Sequence, residues 1–238
     1  MIKEAIEKIL ALAVPTVCDI EGRSYADRQL YEVKDPQQKA ITVGTLTSIV
    51  DYFKADPDGV LPAETAIVHV ASPTEVFVMS PVDHQWRARH AYLSAVIKHR
   101  EFPVDRFLPL ADFMVRLQTH FVESEMLRKL QQVVGNIVDE ASVKVLDDGV
   151  SQEVTARSGI ARVSNVVIPN PVEIAPHRTF VEVEQPVWRY VLRIEKQGNN
   201  GVCAGLFDAE GGLWAHESVS RVKAWLVANL PEGTTVLG

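Results

Sequence analysis

Apolar positions between Phe107 and Glu140 recur at three- and four-residue steps. Leu110, Phe113, Met114, Leu117 and Phe121 form one set, and Leu127, Leu130, Val134 and Ile137 a second. This is the spacing of a helix with one apolar face, and the longest such run is the expected spine of a core. The phase slips at Val122-Glu123-Ser124-Glu125, so the pattern predicts two helices, or one bent near His120, with Pro109 in a tolerated first-turn position.

The same periodicity predicts three further helices. Ile2, Ala5, Ile6, Ile9, Leu10 and Ala13 share a face over residues 2 to 13, where Pro15 ends the segment. Such a leading helix either docks on its own domain or reaches a neighbouring subunit. Gly44-Thr45 caps a helix carrying Leu46, Ile49, Val50 and Phe53, broken at Asp56-Pro57-Asp58-Gly59. His216 to Leu230 closes the chain with Val219, Val222, Leu226 and Leu230 in a stripe. Arg87 to Lys98 is read as one more helix, with Tyr92, Val96 and Ile97 available for burial.

Two-residue alternation marks the strands. Thr65 to Val70 and Glu75 to Met79 make a hairpin around Ala71-Ser72-Pro73-Thr74. Gln29 to Val33 reads as a strand and Arg23 to Arg28 as an exposed arm. Val150 to Arg157 and Ile160 to Ile168 read as a pair joined at Ser158-Gly159, and Pro169, Pro171 and Pro176 then stiffen a connector or an edge. Thr179 to Glu184 alternates, with Val181 and Val183 predicted on one face. Val187 to Glu195 alternates too, with Trp188, Tyr190, Leu192 and Ile194 inward, and Asn199-Asn200-Gly201 turns the chain into Val202 to Phe207. The expectation is one α+β domain over residues 1–238, with helices mainly in the first 140 residues. An antiparallel sheet with hairpins follows, then a closing C-terminal helix, and residues 1–60 can act as an N-terminal arm for oligomerisation.

Composition narrows the function. With 238 residues, 47% hydrophobic and 23% charged, the chain has the make-up of a folded globular protein. A net charge of -7 counts against a broad grip on phosphate backbones. Cys18 and Cys203 stand far apart, so neither a disulfide framework nor a thiolate zinc site is indicated, and both are expected as buried thiols. No apolar run approaches the roughly 20 residues of a membrane span, and the first residues read as an amphipathic helix, which together suggest an intracellular protein without a membrane partner.

Candidate chemistry is sparse. GxxxxGK[ST], GxGxxG, GxSxG and HExxH are all absent, so no nucleotide or other cofactor is expected. Asp147, Asp148 and Glu210, with Glu153 and Asp208 nearby in type, could converge on a divalent ion as oxygen ligands, although Asp-Asp-Gly and Glu-Gly-Gly are also ordinary turn chemistry. His84 and His90 are six apart, which suits no regular helix face. Trp86, Arg87, Arg89, Lys98 and Arg100, with Tyr92 and Phe102, mix cations and rings in a way that could stack and neutralise single-stranded nucleic acid. A solvated cationic helix face explains the same residues.

Several stretches together resemble a family of uncharacterised phage and prophage proteins, the YfdQ-like group. They are Arg89-His90-Ala91-Tyr92, Phe107-Leu108-Pro109-Leu110, Asp147 to Val154, Arg178 to Pro186, and Leu206 to Gly212. The resemblance implies a viral or prophage origin and a bacterial cytoplasm, and no catalytic residue. Without a convergent catalytic set, the expected function is a self-associating structural or scaffold-like protein whose partner is itself. A phage accessory protein on single-stranded nucleic acid and a metal-dependent enzyme are the alternatives.

Overall fold

A computed structural model describes residues 2–13, 16–27, 39–59, 66–83, 87–98, 101–137, 143–147, 152–156, 170–197 and 201–238. The fold is α+β, and the chain divides into two compact units, Met1–Gln37 and Gln38–Gly238.

The first unit is helix α1 (Ile2–Ala13) followed by strands β1 (Val17–Ile20) and β2 (Arg23–Ala26). The strands pair antiparallel from Val17↔Ala26 to Ile20↔Arg23. The two-residue turn between them places Glu21 and Gly22 at φ of 51° and 76°. A turn with both central residues at positive φ matches the strand twist, and glycine adopts that conformation without strain. Arg23–Ala26 of the expected exposed arm is therefore the second strand of a hairpin. Gln29 to Val33 lies outside the described residues.

Among the described residues, two larger sheets of the second unit each have helices and a core of their own. One core forms on a five-stranded sheet. Its elements are β3 (Ile41–Val43), α2 (Leu46–Ala55), β4 (Ile67–Ser72), β5 (Glu75–Met79) and β6 (Ala91–Val96). The strand order ends with β13 (Thr235–Leu237), lying parallel to β4, while β3 lies parallel to β6 at the opposite edge. Val68, Val70, Val76, Val78, Leu93 and Ala95 point into this core from alternate positions. Leu46, Ile49 and Phe53 of α2 and Val222, Leu226 and Leu230 meet them. The first two of these come from α5 (Trp214–Asn229), and Leu230 is its C-cap. As expected, Thr45 caps α2, its Oγ1 accepting from Ser48 N at 3.2 Å.

The other core lies between the antiparallel sheet β10-β11-β12-β7 and two helices. Its elements are β7 (Leu108–Pro109), α3 (Leu110–Thr119), α4 (Glu125–Asn136), β10 (Val172–Ile174), β11 (Trp188–Lys196) and β12 (Val202–Asp208). The predicted spine is two helices, because Ser124 interrupts it as a true N-cap, accepting from Leu127 N at 3.1 Å. Trp188, Tyr190, Leu192 and Ile194 are buried as the alternation required. Separately, β8 (Val143–Asp147) pairs antiparallel with β9 (Gln152–Ala156). Of the turn signal at Asp147-Asp148-Gly149 only Asp147, the last residue of β8, is described, and Ile160 to Ile168 lies outside the described residues.

Other expectations are overturned. Arg87 to Lys98 contains no helix: β6 occupies it, laddered to β5 on one side and β3 on the other. Neighbouring strands outweigh a short helical pattern when Leu93 and Ala95 can both turn inward. The hairpin before it is tighter than predicted, with Ser72 opposite Glu75. Cys18 is exposed, and only Cys203 is a buried thiol.

Thr179 to Glu184 contains no strand either. Phe180 is fully buried and Val183 nearly so, both in the five-stranded core, whereas Val181 between them is 82% exposed. The buried carboxamide of Gln185 replaces a ladder here. Its oxygen accepts from Arg178 N at 2.9 Å and Thr179 N at 3.1 Å, and its nitrogen donates to the carbonyls of Thr179 at 3.2 Å and Phe180 at 3.1 Å. Replacing Gln185 by Leu keeps much of its bulk but strands these groups without partners. The expected loss is about 2–4 kcal/mol, given ~1–3 kcal/mol for an unsatisfied buried polar group. Val181→Ala should stay within about 0.5 kcal/mol. Urea unfolding of the two variants checks this, and equal small losses would refute the role given to Gln185.

Candidate functional site

Two features stand out from the fold: a surface and a cleft. The surface is the first unit. Each residue described for burial in it, 2–8 and 16–27, is exposed, including Ile2 at 79%, Ile6 at 52% and Ile20 at 57%. Among the described residues, Ile2 and Ile6 on α1 and Val17 and Ile20 on the hairpin strands are exposed apolar side chains.

The cleft has a volume of about 210 Å³ and opens where the four-stranded sheet meets the start of α5. Its floor is Arg178, 8% exposed, delivered by the loop that Gln185 holds. The Arg178 guanidinium lies over the Trp214 ring, 4.1 Å from its centroid, and beside the Tyr190 ring at 5.6 Å. One terminal nitrogen donates to the Tyr190 hydroxyl, while Nε is buried without an acceptor. Among the described residues no carboxylate comes within ion-pair distance of it. Burial pulls the Arg178 guanidinium below the usual arginine range, a pull that Tyr190 and Asp208 oppose.

Phe102 and Val104 form the apolar wall, and Glu101, Asp105 and Asp208 supply carboxylates. Asp105 sits at φ 60°, a conformation Asp tolerates, so that its backbone N donates to Leu206 O and its Oδ1 accepts from Asp208 N, each at 2.9 Å. This crossing is close: a Cβ at Gly205 would stand 2.7 Å from Arg106 O, so only glycine lets the segment approach β12. Burial raises the Asp208 pKa. The N–H groups of Glu210, Trp188 and Gly211, with the Arg178 charge, more than offset it and hold the carboxyl below the usual range.

Neither the family scan nor the searches of curated proteins and of solved structures finds a match to this chain. Function must therefore be argued from the geometry.

Of the residues singled out in the sequence, Asp208 and Phe102 line this cleft, and the other described ones lie elsewhere. Arg87 and Arg89 are together on the loop before β6, Arg89 donating to Ser80 O at 3.1 Å, with Arg87 at φ 50°. Lys98 follows the far end of β6. The six strand residues between Arg89 and Lys98 span about 20 Å at the ~3.3 Å rise of a strand, so these cations share no helical face. Trp86 and Arg100 lie outside the described residues. Asp147 ends β8 opposite Gln152, and Glu210 faces Arg189 at 3.7 Å. Asp148 lies outside the described residues. Among those described, no three His, Cys, Asp or Glu side chains are placed to hold a metal ion, and no helix is long and apolar enough to cross a membrane. Arg178, Asp105 and Trp214 were missed as site residues. No local pattern in the sequence links the three, which come from separate segments of the chain.

Burial, with Asp208 adding to it and Arg178 opposing it, pushes the Tyr190 phenol up from 10.0 to about 12. A raised folded value means the folded state favours the protonated phenol. Its stability contribution is intact below pH 10.0 and is lost as pH rises toward about 12. At about pH 11 one such group costs about 1 kcal/mol. Tyr52, whose phenol burial and Asp58 push up in the same direction, adds to the alkaline loss in both proteins. Urea unfolding of wild type and Tyr190→Phe at about pH 9 and about pH 11 should therefore show a loss smaller by about 1 kcal/mol in the variant. Identical losses would contradict this reading of Tyr190.

Proposed function

We propose that this chain is a self-associating structural protein of phage or prophage type, working in the bacterial cytoplasm, whose N-terminal unit joins copies to one another. The reading rests on one observation, that the first unit has a regular helix and hairpin yet exposes each residue described for burial. A 12-residue helix and a two-stranded hairpin are each marginal in water without packed apolar faces. A partner that covers Ile2, Ile6, Val17 and Ile20 supplies what the unit lacks.

A second copy fits that partner. The α1 surface carries Lys3 and Lys8 against Glu4 and Glu7, a neutral, self-complementary arrangement. Turned antiparallel, one copy can set its lysines beside the glutamates of the other, as a two-fold interface requires. A strongly acidic or basic partner would gain nothing from this balance.

Sedimentation velocity and light scattering on the full chain should give a homo-oligomer. The double variant Ile2→Glu, Ile6→Glu should shift dissociation to at least about tenfold higher concentration, since charges would enter the joint. Its circular dichroism from residues 38–238 should be retained. A monomer mass from nanomolar to high micromolar concentration would refute the proposal.

A further inference from the structure

We infer that the Arg178 cleft binds a small zwitterion, a free α-amino acid with an apolar side chain, independently of any association through the N-terminal unit. The first argument is the state of the guanidinium. A buried charge needs an anion or a full set of acceptors, or it costs several kcal/mol. Arg178 has five donors in a planar fork, of which one reaches Tyr190, and Nε is buried without an acceptor. The ring of Trp214 holds the fork in place at 4.1 Å. A guanidinium fixed in this way and lacking a carboxylate partner is set up to receive one from a ligand, in the paired geometry that the fork favours.

The second argument is the sign of the surroundings. Glu101, Asp105 and Asp208 line the same cleft, and Asp208 stays ionised because its Oδ1 already accepts from Glu210 N at 2.8 Å and Trp188 Nε1 at 3.2 Å. Three carboxylates repel a phosphate or any dianion, and they attract an ammonium group. A ligand bearing one carboxylate and one ammonium meets both demands: its carboxylate faces Arg178, and its ammonium faces Glu101 and Asp105, which are exposed at the rim.

Size and wall chemistry set the rest. The cleft, at about 210 Å³, falls short of the ~300–1,000 Å³ of pockets that hold drug-sized ligands. It suits a single residue-sized molecule, with Phe102 and Val104 offered to an apolar side chain.

Calorimetry on the full chain with L-leucine and L-phenylalanine tests this. Saturable binding of at least one is expected. Phenethylamine, which lacks the carboxylate, and 3-phenylpropionate, which lacks the ammonium, should each bind at least about tenfold more weakly than L-phenylalanine or not at all. Arg178→Lys should abolish binding. Because that variant disturbs a buried position, Asp105→Asn supplies the second arm: Asn can still accept from Asp208 N, so the fold is kept, while amino-acid affinity should fall by at least about fivefold. The inference is overturned by no saturable heat from either amino acid at about 10 mM, by equal affinity for 3-phenylpropionate or phenethylamine, by tighter binding of inorganic phosphate, or by unchanged affinity in Asp105→Asn.

Discussion

The Gln185 carboxamide is the contact on which the larger unit depends. One buried side chain takes the place of a strand ladder for the backbone of residues 178–183. With its polar groups satisfied, that loop can run through the interior and serve both cores. Phe180 and Val183 enter the core of the five-stranded sheet, while Arg178 turns the other way to the cleft beside the four-stranded one. The Thr179 hydroxyl donates to Pro73 O at 2.7 Å, in the β4–β5 turn. Glu182 accepts from the backbone and hydroxyl of Thr47, in the first turn of α2, where a carboxylate also meets the positive end of the helix dipole. Arg221 of α5 closes the set by donating to Glu184 O at 3.0 Å. A short irregular loop thus ties a sheet turn, a helix start and a helix flank to one amide.

The first unit and the cleft have opposite unmet needs. The N-terminal unit has regular backbone and uncovered apolar side chains, so its unmet need is hydrophobic and non-directional. The cleft is well packed around its base, and its unmet need is a directed charge: a guanidinium stacked on Trp214 with no carboxylate on it among the described residues. The first need suits a large partner surface and the second a small molecule. Neither requires the other.

The parts of the fold legible in the sequence were those with strong local periodicity. The α1, α2 and α5 stripes, the alternation of β11 and the β11–β12 hairpin all lie where the apolar spacing put them. The break in the central spine was visible as a phase slip and is explained by the Ser124 cap. Less visible were β3 and β13, three-residue strands recruited by parallel pairing with residues far away in sequence. At Arg87 to Lys98 the local signal misled. Tyr92, Val96 and Ile97 do fit a helix, but open edges on β5 and β3 offered a ladder that no local window could report.

What the sequence determined by itself was the α+β class, most element positions and the lack of familiar catalytic motifs, because period and turn chemistry act over a few residues. Only the tertiary structure decided where Val181 points, what Gln185 is for, and that Arg178, Asp105, Asp208 and Trp214 meet. Those residues lie up to 109 positions apart, 105 to 214. Their meeting is fixed by strand register and by one loop's buried hydrogen bonds, which are long-range contacts that leave no periodic mark on the chain.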